Sequence, residues 1–307
     1  MKPAAANAQG PGHNAAAAGG LRGSLWMLVA GLMFACMAAC VKLGSVRFNA
    51  AELVFWRGAF GVVAIGSFVA WRRERVVTPL WPRHLARSIS GCAALILSFL
   101  AIHFLPLATA YTLSYTSPLW LAVLVAVLAH ERLHKPMWGA LGLGLVGVAF
   151  LLKPSLGSAP WYGSAFGLAA GALSGVAYLN VRKLGEAGEP EWRTVFWFSV
   201  VCALCGLPFA LANLDPHWSL RDAAIVLGVG GFGALGQLAM TRAYTAGRTL
   251  FTAALSYSTV VFAAIFGVVL FDDSIDLTGL IGIAAVVASG VLAGQLTRKP
   301  VDLTEND

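Results

Sequence analysis

Along this chain apolar residues come in long runs, and polar residues collect in short hinges between them. Ten runs stand out, at roughly 24–43, 50–71, 84–103, 107–129, 137–153, 162–180, 194–213, 220–241, 248–271 and 277–296. A helix needs about 17 to 25 such residues to cross the hydrocarbon of a bilayer. The hinges carry helix punctuation. Asn49 with Glu52 three residues on has the pattern of a capping box at the second run, and Pro136, Pro160 and Pro190 stand where helices would start. The pattern predicts an all-α membrane protein of ten transmembrane helices.

The chain also repeats itself. Val54-Phe55-Trp56 returns as Val195-Phe196-Trp197, and Lys42-Leu43 returns at the same offset as Lys183-Leu184. Leu113-Ser114-Tyr115-Thr116-Ser117 returns as Leu255-Ser256-Tyr257-Ser258-Thr259, at an offset one position longer. Three matches in order, at nearly one offset, argue for a duplicated unit. Ten spans shared between two copies give five each, and an odd number makes the second copy enter the membrane inverted. The expected organisation is a cytoplasmic tail without fixed structure at 1–21, a first five-helix repeat at 22–154, a second at 160–297 and a short cytoplasmic tail at 298–307. Inverted copies around a midplane site are a recurrent architecture of secondary transporters.

Composition agrees with a membrane location. The chain is 58% hydrophobic and 11% charged with a mean hydropathy of +0.76, against about 25% charged in soluble proteins. With the N-terminus placed inside, sixteen of the 21 Lys and Arg residues fall on the cytoplasmic side, among them Arg72, Arg73, Arg75, Arg83 and Arg87. Four fall outside (Lys42, Arg47, Lys153, Arg221), and Arg57 lies within a span. This asymmetry is the positive-inside rule, and it predicts both termini in the cytoplasm of a bacterial inner membrane. The net charge of +7 is then a mark of topology and not of a nucleic-acid partner. The Ala/Gly-rich start lacks the plan of a signal peptide. Met37-Ala38-Ala39-Cys40 faintly resembles a lipoprotein processing box, but cleavage there would remove the first span and break the repeat.

The groups that chemistry would need are scarce. Every Asp reads as lying in a loop or tail, and of the seven Glu residues only Glu52 and Glu131 sit near span ends. Two mid-span aspartates, as an intramembrane aspartyl protease requires, are absent from this reading. Ser174-Gly175 and Ser289-Gly290 lack the bracketing glycines of a nucleophile elbow, and no His sits mid-span as a base. The two glycine patterns at Gly142–Gly147 and Gly228–Gly233 match a dinucleotide fingerprint in letters only. Within membrane helices, small residues serve close packing, whereas the fingerprint has meaning only between a strand and a helix. The five cysteines lie in apolar stretches and read as small hydrophobes. No cofactor, metal or disulfide is expected. Glu52 reads first as a helix cap, with a proton-coupling carboxylate as the alternative.

Arg57 is the most conspicuous single residue. It lies eight positions past Asn49, about 12 Å along its helix, near the limit for snorkelling to the interface. An arginine at that depth is costly unless paired or hydrated. A counter-charge for a substrate carboxylate and a snorkelling side chain are the two readings, and His103 at the outer end of the third span is a partner from another helix. The repeated Leu-Ser-Tyr segments offer Ser114, Tyr115, Ser256 and Tyr257 on either side of the midplane. Their hydroxyls either bond back to their own helices or line a substrate cavity with Tyr111, Tyr178 and Gln237. A lining of this kind suits an amphipathic organic solute better than a bare ion.

Two five-helix halves with these letters resemble the drug/metabolite transporter superfamily and its EamA-type repeat, over about residues 24–296. The residues that carry the resemblance are Phe55-Trp56-Arg57, Thr116-Ser117-Pro118-Leu119, and Glu131-Arg132-Leu133 followed by Trp138-Gly139 and Gly147-Val148. In the second half Phe271-Asp272-Asp273-Ser274-Ile275, Gly279 and Gly290-Val291 keep the spacing but place Asp273 where the hallmark has Glu. The resemblance implies a cavity formed mainly by the first, third, fourth, sixth, eighth and ninth helices. It also implies cargo drawn from amino acids, S-adenosylmethionine, riboflavin, sugar-nucleotides and drugs. The expectation is a secondary transporter, monomer or homodimer, of a small-molecule substrate, with amino-acid-like export ahead of cofactor or vitamin uptake and drug efflux. An intramembrane enzyme is the alternative of a different class.

Overall fold

The computed structural model of the protein describes residues 11–104, 113–128, 133–152, 161–213, 218–271 and 275–296. These residues form helices α1 (Pro11–Gly44), α2 (Ala50–Arg72), α3 (Trp81–Phe104), α4 (Ser117–Leu128), α5 (Lys135–Leu152), α6 (Trp161–Glu186), α7 (Glu191–Ala212), α8 (Leu220–Ala246), α9 (Thr249–Ser256), α10 (Ser258–Phe271) and α11 (Leu277–Leu296). Seven stretches of them are long and apolar enough to cross a bilayer, α9 and α10 counting as one rod. Their outward faces carry exposed aliphatic side chains such as Val63, Val127, Leu204, Leu227 and Val269. In hydrocarbon this coat needs no covering, because each helix satisfies its own backbone. Trp71, Trp81 and Trp161 are exposed at helix ends, where aromatic belts meet the headgroups.

The helix boundaries follow local chemistry. The capping box is formed at α2: the Glu52 amide donates to Asn49 Oδ1 at 2.9 Å and the Asn49 amide to Glu52 Oε2 at 2.8 Å. A second box starts α8. The Asp222 amide donates to Ser219 Oγ at 3.1 Å, and the Ser219 amide to Asp222 Oδ2 at 3.0 Å. Asp222 therefore stands in the first turn of a helix, where the sequence had suggested a loop. α1 begins at Pro11, inside the stretch expected as a tail. A proline in the first turn leaves no helical bond unmade, and the alanines after it are the best helix formers.

The bundle is built from antiparallel pairs that glycines bring close. A Cβ on Gly206 of α7 would collide with the backbone of Phe55 on α2, one on Gly58 with Ala203, and one on Gly61 with Ser199. As the number rises on α2 its partner's falls on α7, so the two helices run in opposite directions. α5 and α11 are also antiparallel: Ser289 donates to the Ala140 carbonyl at 2.7 Å, while Gly147 abuts the Gly282 carbonyl. α1 runs antiparallel along α8, with Gly23 against Ala246 and Gly44 against Ile225. α3 packs on α6, α4 on α6, and α10 on α1. Both glycine-rich patterns lie inside helices, as expected. Gly144 admits Tyr257 and Ser289, and Gly230 admits Phe60.

The fourth and ninth rods are both interrupted. The Thr116 amide donates to the Leu113 carbonyl and the Leu119 amide to the Thr116 carbonyl. The Tyr257 amide donates to the Ala254 carbonyl and the Val260 amide to the Tyr257 carbonyl. The same two tight-turn bonds thus recur in both copies. In the first copy Pro118 has no N–H to continue the helix. In the second, Ser258-Thr259-Val260-Val261 is stiff and β-branched after its serine. The offset at the break is that of Val-Phe-Trp, one less than the Leu-Ser-Tyr letters suggest. Thr116, not Tyr115, thus corresponds to Tyr257.

Candidate functional site

Arg57 projects from α2 into the bundle, and its Nη2 donates to Gln237 Oε1 on α8 at 3.0 Å. Gln237 is buried, and among the described residues neither its Nε2 nor Arg57 Nε has a partner. A cavity of about 10 Å³, the room of a single water, is lined by Arg57, Phe198, Ser199, Cys202, Gly233 and Gln237 from α2, α7 and α8. The Arg57 guanidinium carbon stands 5.1 Å from the centroid of the Phe198 ring. No carboxylate among the described residues pairs with Arg57.

A second cation shares that ring. The Arg87 guanidinium carbon lies 3.9 Å from the Phe198 centroid, and the residue is only 2% exposed. Its Nε and Nη1 have no hydrogen-bond partner among the described residues. The charge count placed Arg87 on the cytoplasmic side of its span; the structure adds that the side chain is buried against Phe198. Arg87 lies six residues past Trp81 on α3, so its side chain can turn inward to an aromatic ring instead of outward to water. Hydropathy alone gives no sign of which way it turns. A cation–π contact contributes about 0.5 to 2 kcal/mol. An arginine at the centre of a membrane helix costs about 2.5 to 3.5 kcal/mol even on the lower scale. One phenyl ring shared by two guanidiniums does not balance that cost.

Beyond Gln237, the rings of Tyr178 on α6 and Tyr244 on α8 stack with centroids 5.0 Å apart and planes at 17°. Tyr244 is buried with its hydroxyl unpartnered, in a cluster with Met27, Leu121, Val125, Leu179 and Met240. This cluster packs the C-terminal halves of α6 and α8 together. Arg57 and Gln237 are thus joined across α2 and α8, and Tyr178 joins α6 to α8 through its stack on Tyr244.

The Leu-Ser-Tyr hydroxyls are placed elsewhere. Tyr257 is fully buried and donates to the Leu141 carbonyl at 3.2 Å, packed with Val148 and Val286. Tyr115 is partly buried against that same cluster. Ser256 donates to the Ala253 carbonyl of its own helix at 2.7 Å, and Ser114 Oγ lies 3.4 Å from Ser98 Oγ on α3. Tyr257 and Ser256 thus serve helix packing in this conformation and do not face Arg57. Tyr111 falls outside the described residues, as does the side chain of His103. Glu131 and Asp273 of the family hallmark also lie outside them. The Glu52 carboxylate is committed to its cap. The cavity at Arg57 lies between α2, α7 and α8, of which only α8, the eighth span, is among the six helices that the resemblance implied.

At the other charged corner, Glu189 sits in the turn between α6 and α7. It accepts from Arg193 Nη1 at 2.8 Å, lies 3.2 Å from His84 Nε2, and accepts from Thr78. Burial alone would raise its pKa, but those donors hold the carboxyl below its ordinary value. Arg193 also donates to the Arg75 carbonyl at 2.8 Å, so the cluster ties the α2–α3 connection to the start of α7.

Comparison with known proteins agrees with this architecture. The EamA-like transporter family matches twice, over residues 21–153 and 161–294. The pseudopaline exporter of Pseudomonas aeruginosa (strain UCBPP-PA14) is 29% identical over 275 residues, 88% of this chain and 92% of that protein. The riboflavin transporter of Vibrio cholerae is 26% identical, covering 73% of this chain and 76% of its own length. An S-adenosylmethionine uptake transporter of Rickettsia bellii is 22% identical, with 85% and 89% covered. A solved crystal structure superposes with a TM-score of 0.79 at 20% identity, over 91% of this chain and all of the other, which establishes the likeness of fold. With its family matched over most of its length and relatives named as transporters, this multi-pass membrane chain belongs to the EamA-like transporter family and is a transporter, not an enzyme.

Proposed function

We propose that the protein is a bacterial inner-membrane secondary transporter that exports a small amphipathic, amino-acid-like metabolite by alternating access. In this reading the chain crosses the membrane ten times as two inverted five-helix repeats, 22–154 and 160–297, with both termini in the cytoplasm. Support for inversion comes from the pairing of corresponding helices: α2 with α7 and α5 with α11 are antiparallel neighbours. Copies related by an axis in the membrane plane would meet in this way. Support for alternation comes from broken symmetry. α6 packs on α8, whereas their counterparts α1 and α3 have no comparable contact among the described residues.

The observation that carries the substrate reading is Arg57, inside the bundle, bonded to a neutral amide and paired with no acid among the described residues. A substrate carboxylate supplies the missing charge, and the guanidinium holds it by a fork of donors. Tyr178, Gln237, Ser114 and Tyr115 would complete the polar path. The relatives named for riboflavin and S-adenosylmethionine uptake favour a second reading, uptake of a cofactor or vitamin. Purified protein in proteoliposomes, loaded on one side with a labelled metabolite panel, decides between them. Net movement of carboxylate-bearing amino-acid-like solutes supports the first, and movement of bulky cofactors alone supports the second.

A further inference from the structure

Resting on the reading of Arg57 as the substrate's counter-charge, we infer that the transported solute carries two carboxylate groups, the second held by Arg87. The two guanidinium carbons lie 5.1 and 3.9 Å from one ring centroid, so they are no more than about 9 Å apart. Arg57 Nε, Arg87 Nε, Arg87 Nη1 and Gln237 Nε2 are all buried donors without a partner among the described residues. Two fixed positive charges with no acid paired to them among the described residues demand two negative charges from whatever binds, because an uncompensated ion in low dielectric is strongly disfavoured. A monocarboxylate neutralises one arginine and leaves the other bare.

The ring decides the shape of the solute. Phe198 is buried with Val54, Cys92 and Cys202 around it. An apolar surface shared by two cations suits an acid with a short hydrocarbon spacer between its carboxylates, the spacer lying on the phenyl edge and each carboxylate on one guanidinium. A compact dianion such as phosphate would need both arginines to converge on one point. The donors instead come from separate helices: α2 and α8 for Arg57 with Gln237, and α3 for Arg87. Arg87 is thereby a specificity-determining residue, and it sets the number of charges carried per cycle.

The test uses the full-length protein in detergent with three probes: succinate, butyrate and inorganic phosphate. Succinate should raise the thermal midpoint at concentrations at least tenfold below those at which butyrate does, and phosphate should do no better than butyrate. Arg87→Met should raise the midpoint of the ligand-free protein, since it removes an unpaired buried cation. The same change should reduce the succinate response to the butyrate level. Arg87→Lys, which keeps the charge, should retain part of the succinate preference and serves if the Met variant does not fold. Equal responses to succinate and butyrate, or none to any probe, would overturn the inference. So would a stronger response to phosphate, or an Arg87→Met protein that is less stable yet responds to succinate as before. Counterflow in proteoliposomes separates the two-charge site from the transport reading beneath it. Carboxylate movement that needs Arg57 but not Arg87 rejects only the two-charge site, while no movement of any carboxylate rejects the underlying transport reading.

Discussion

Arg57 and Phe198 stand at corresponding places after the two Val-Phe-Trp segments, and they meet with 5.1 Å between guanidinium carbon and ring centroid. Residues related by a two-fold axis touch only beside that axis. α2 and α7 run antiparallel, and in the proposed inverted arrangement such an axis would cross them. Divergence of one letter has placed a cation against an aromatic face, where two retained arginines would repel. The centre of the bundle is thus asymmetric in chemistry although regular in backbone, and the asymmetric position is the one that would bind substrate.

Gln237 should be the most informative neighbour to change. Gln237→Leu removes the acceptor of Arg57 Nη2 and should lower transport by several-fold while the protein still inserts. Gln237→Glu gives Arg57 an internal acid, so the fold should hold and transport should fall by tenfold or more, since the site no longer lacks an anion. Uptake rates normalised to the amount in the membrane check both. Full transport by Gln237→Glu would remove Arg57 from the site.

Tyr257 should separate packing from binding. Its hydroxyl donates to the Leu141 carbonyl, so Tyr257→Phe should cost about 1 kcal/mol of stability and leave the apparent KM for substrate unchanged. A thermal midpoint and a transport saturation curve on the same preparation suffice. A raised KM with an unchanged midpoint would return Tyr257 to the substrate path.

Cysteines placed at 114 and 256 report on alternation. With the positive-inside orientation of the proposed topology, Ser114→Cys should react with a membrane-impermeant thiol reagent from outside. Ser256→Cys should not react until the inner half opens. Cys36, Cys40, Cys92, Cys202 and Cys205 must be replaced first. Equal labelling of both positions from one side would contradict the inverted arrangement.

The Glu189 cluster predicts an acid limit. Because the donors depress the carboxyl's pKa in the fold, its contribution is complete above the unfolded value, near pH 4, and is lost as pH falls through the lower folded value. The thermal midpoint of the wild type should therefore drop on acidification below about pH 4 more steeply than that of Glu189→Gln, whose midpoint is lower at neutral pH. Parallel curves for the two proteins would show that the cluster does not contribute.

Much of the architecture was legible in the sequence because membrane helices obey few rules. Hydropathy placed α2 and α11 to within a residue, and the Asn49/Glu52 spacing foretold a cap that is formed. Arg57 and Gln237 were singled out from burial cost and polarity, but nothing in one dimension joins positions so distant along the chain. Arg87 was missed because a cation near a span end reads the same whether it turns to water or to Phe198. Of the Leu-Ser-Tyr hydroxyls, those of Ser256 and Tyr257 bond to the Ala253 and Leu141 carbonyls; helix bonding and cavity lining draw on the same residue types, so the letters alone do not separate them. Matching letters also slipped by one position at the interrupted rods, where the backbone keeps the offset of the rest of the repeat.

The proposal that substrate recognition centres on Arg57 is tested most directly by one measurement: proteoliposome transport of carboxylate-bearing metabolites by the wild type, Arg57→Lys and Arg57→Ala, each confirmed as inserted and folded. The wild type should transport, Arg57→Lys should keep a reduced rate because it retains the charge without the fork of donors, and Arg57→Ala should lose transport by a hundredfold or so, about 2.7 kcal/mol. Wild-type rates from a well-inserted Arg57→Ala would contradict it, and would leave the arginine as a side chain that merely reaches toward the membrane edge.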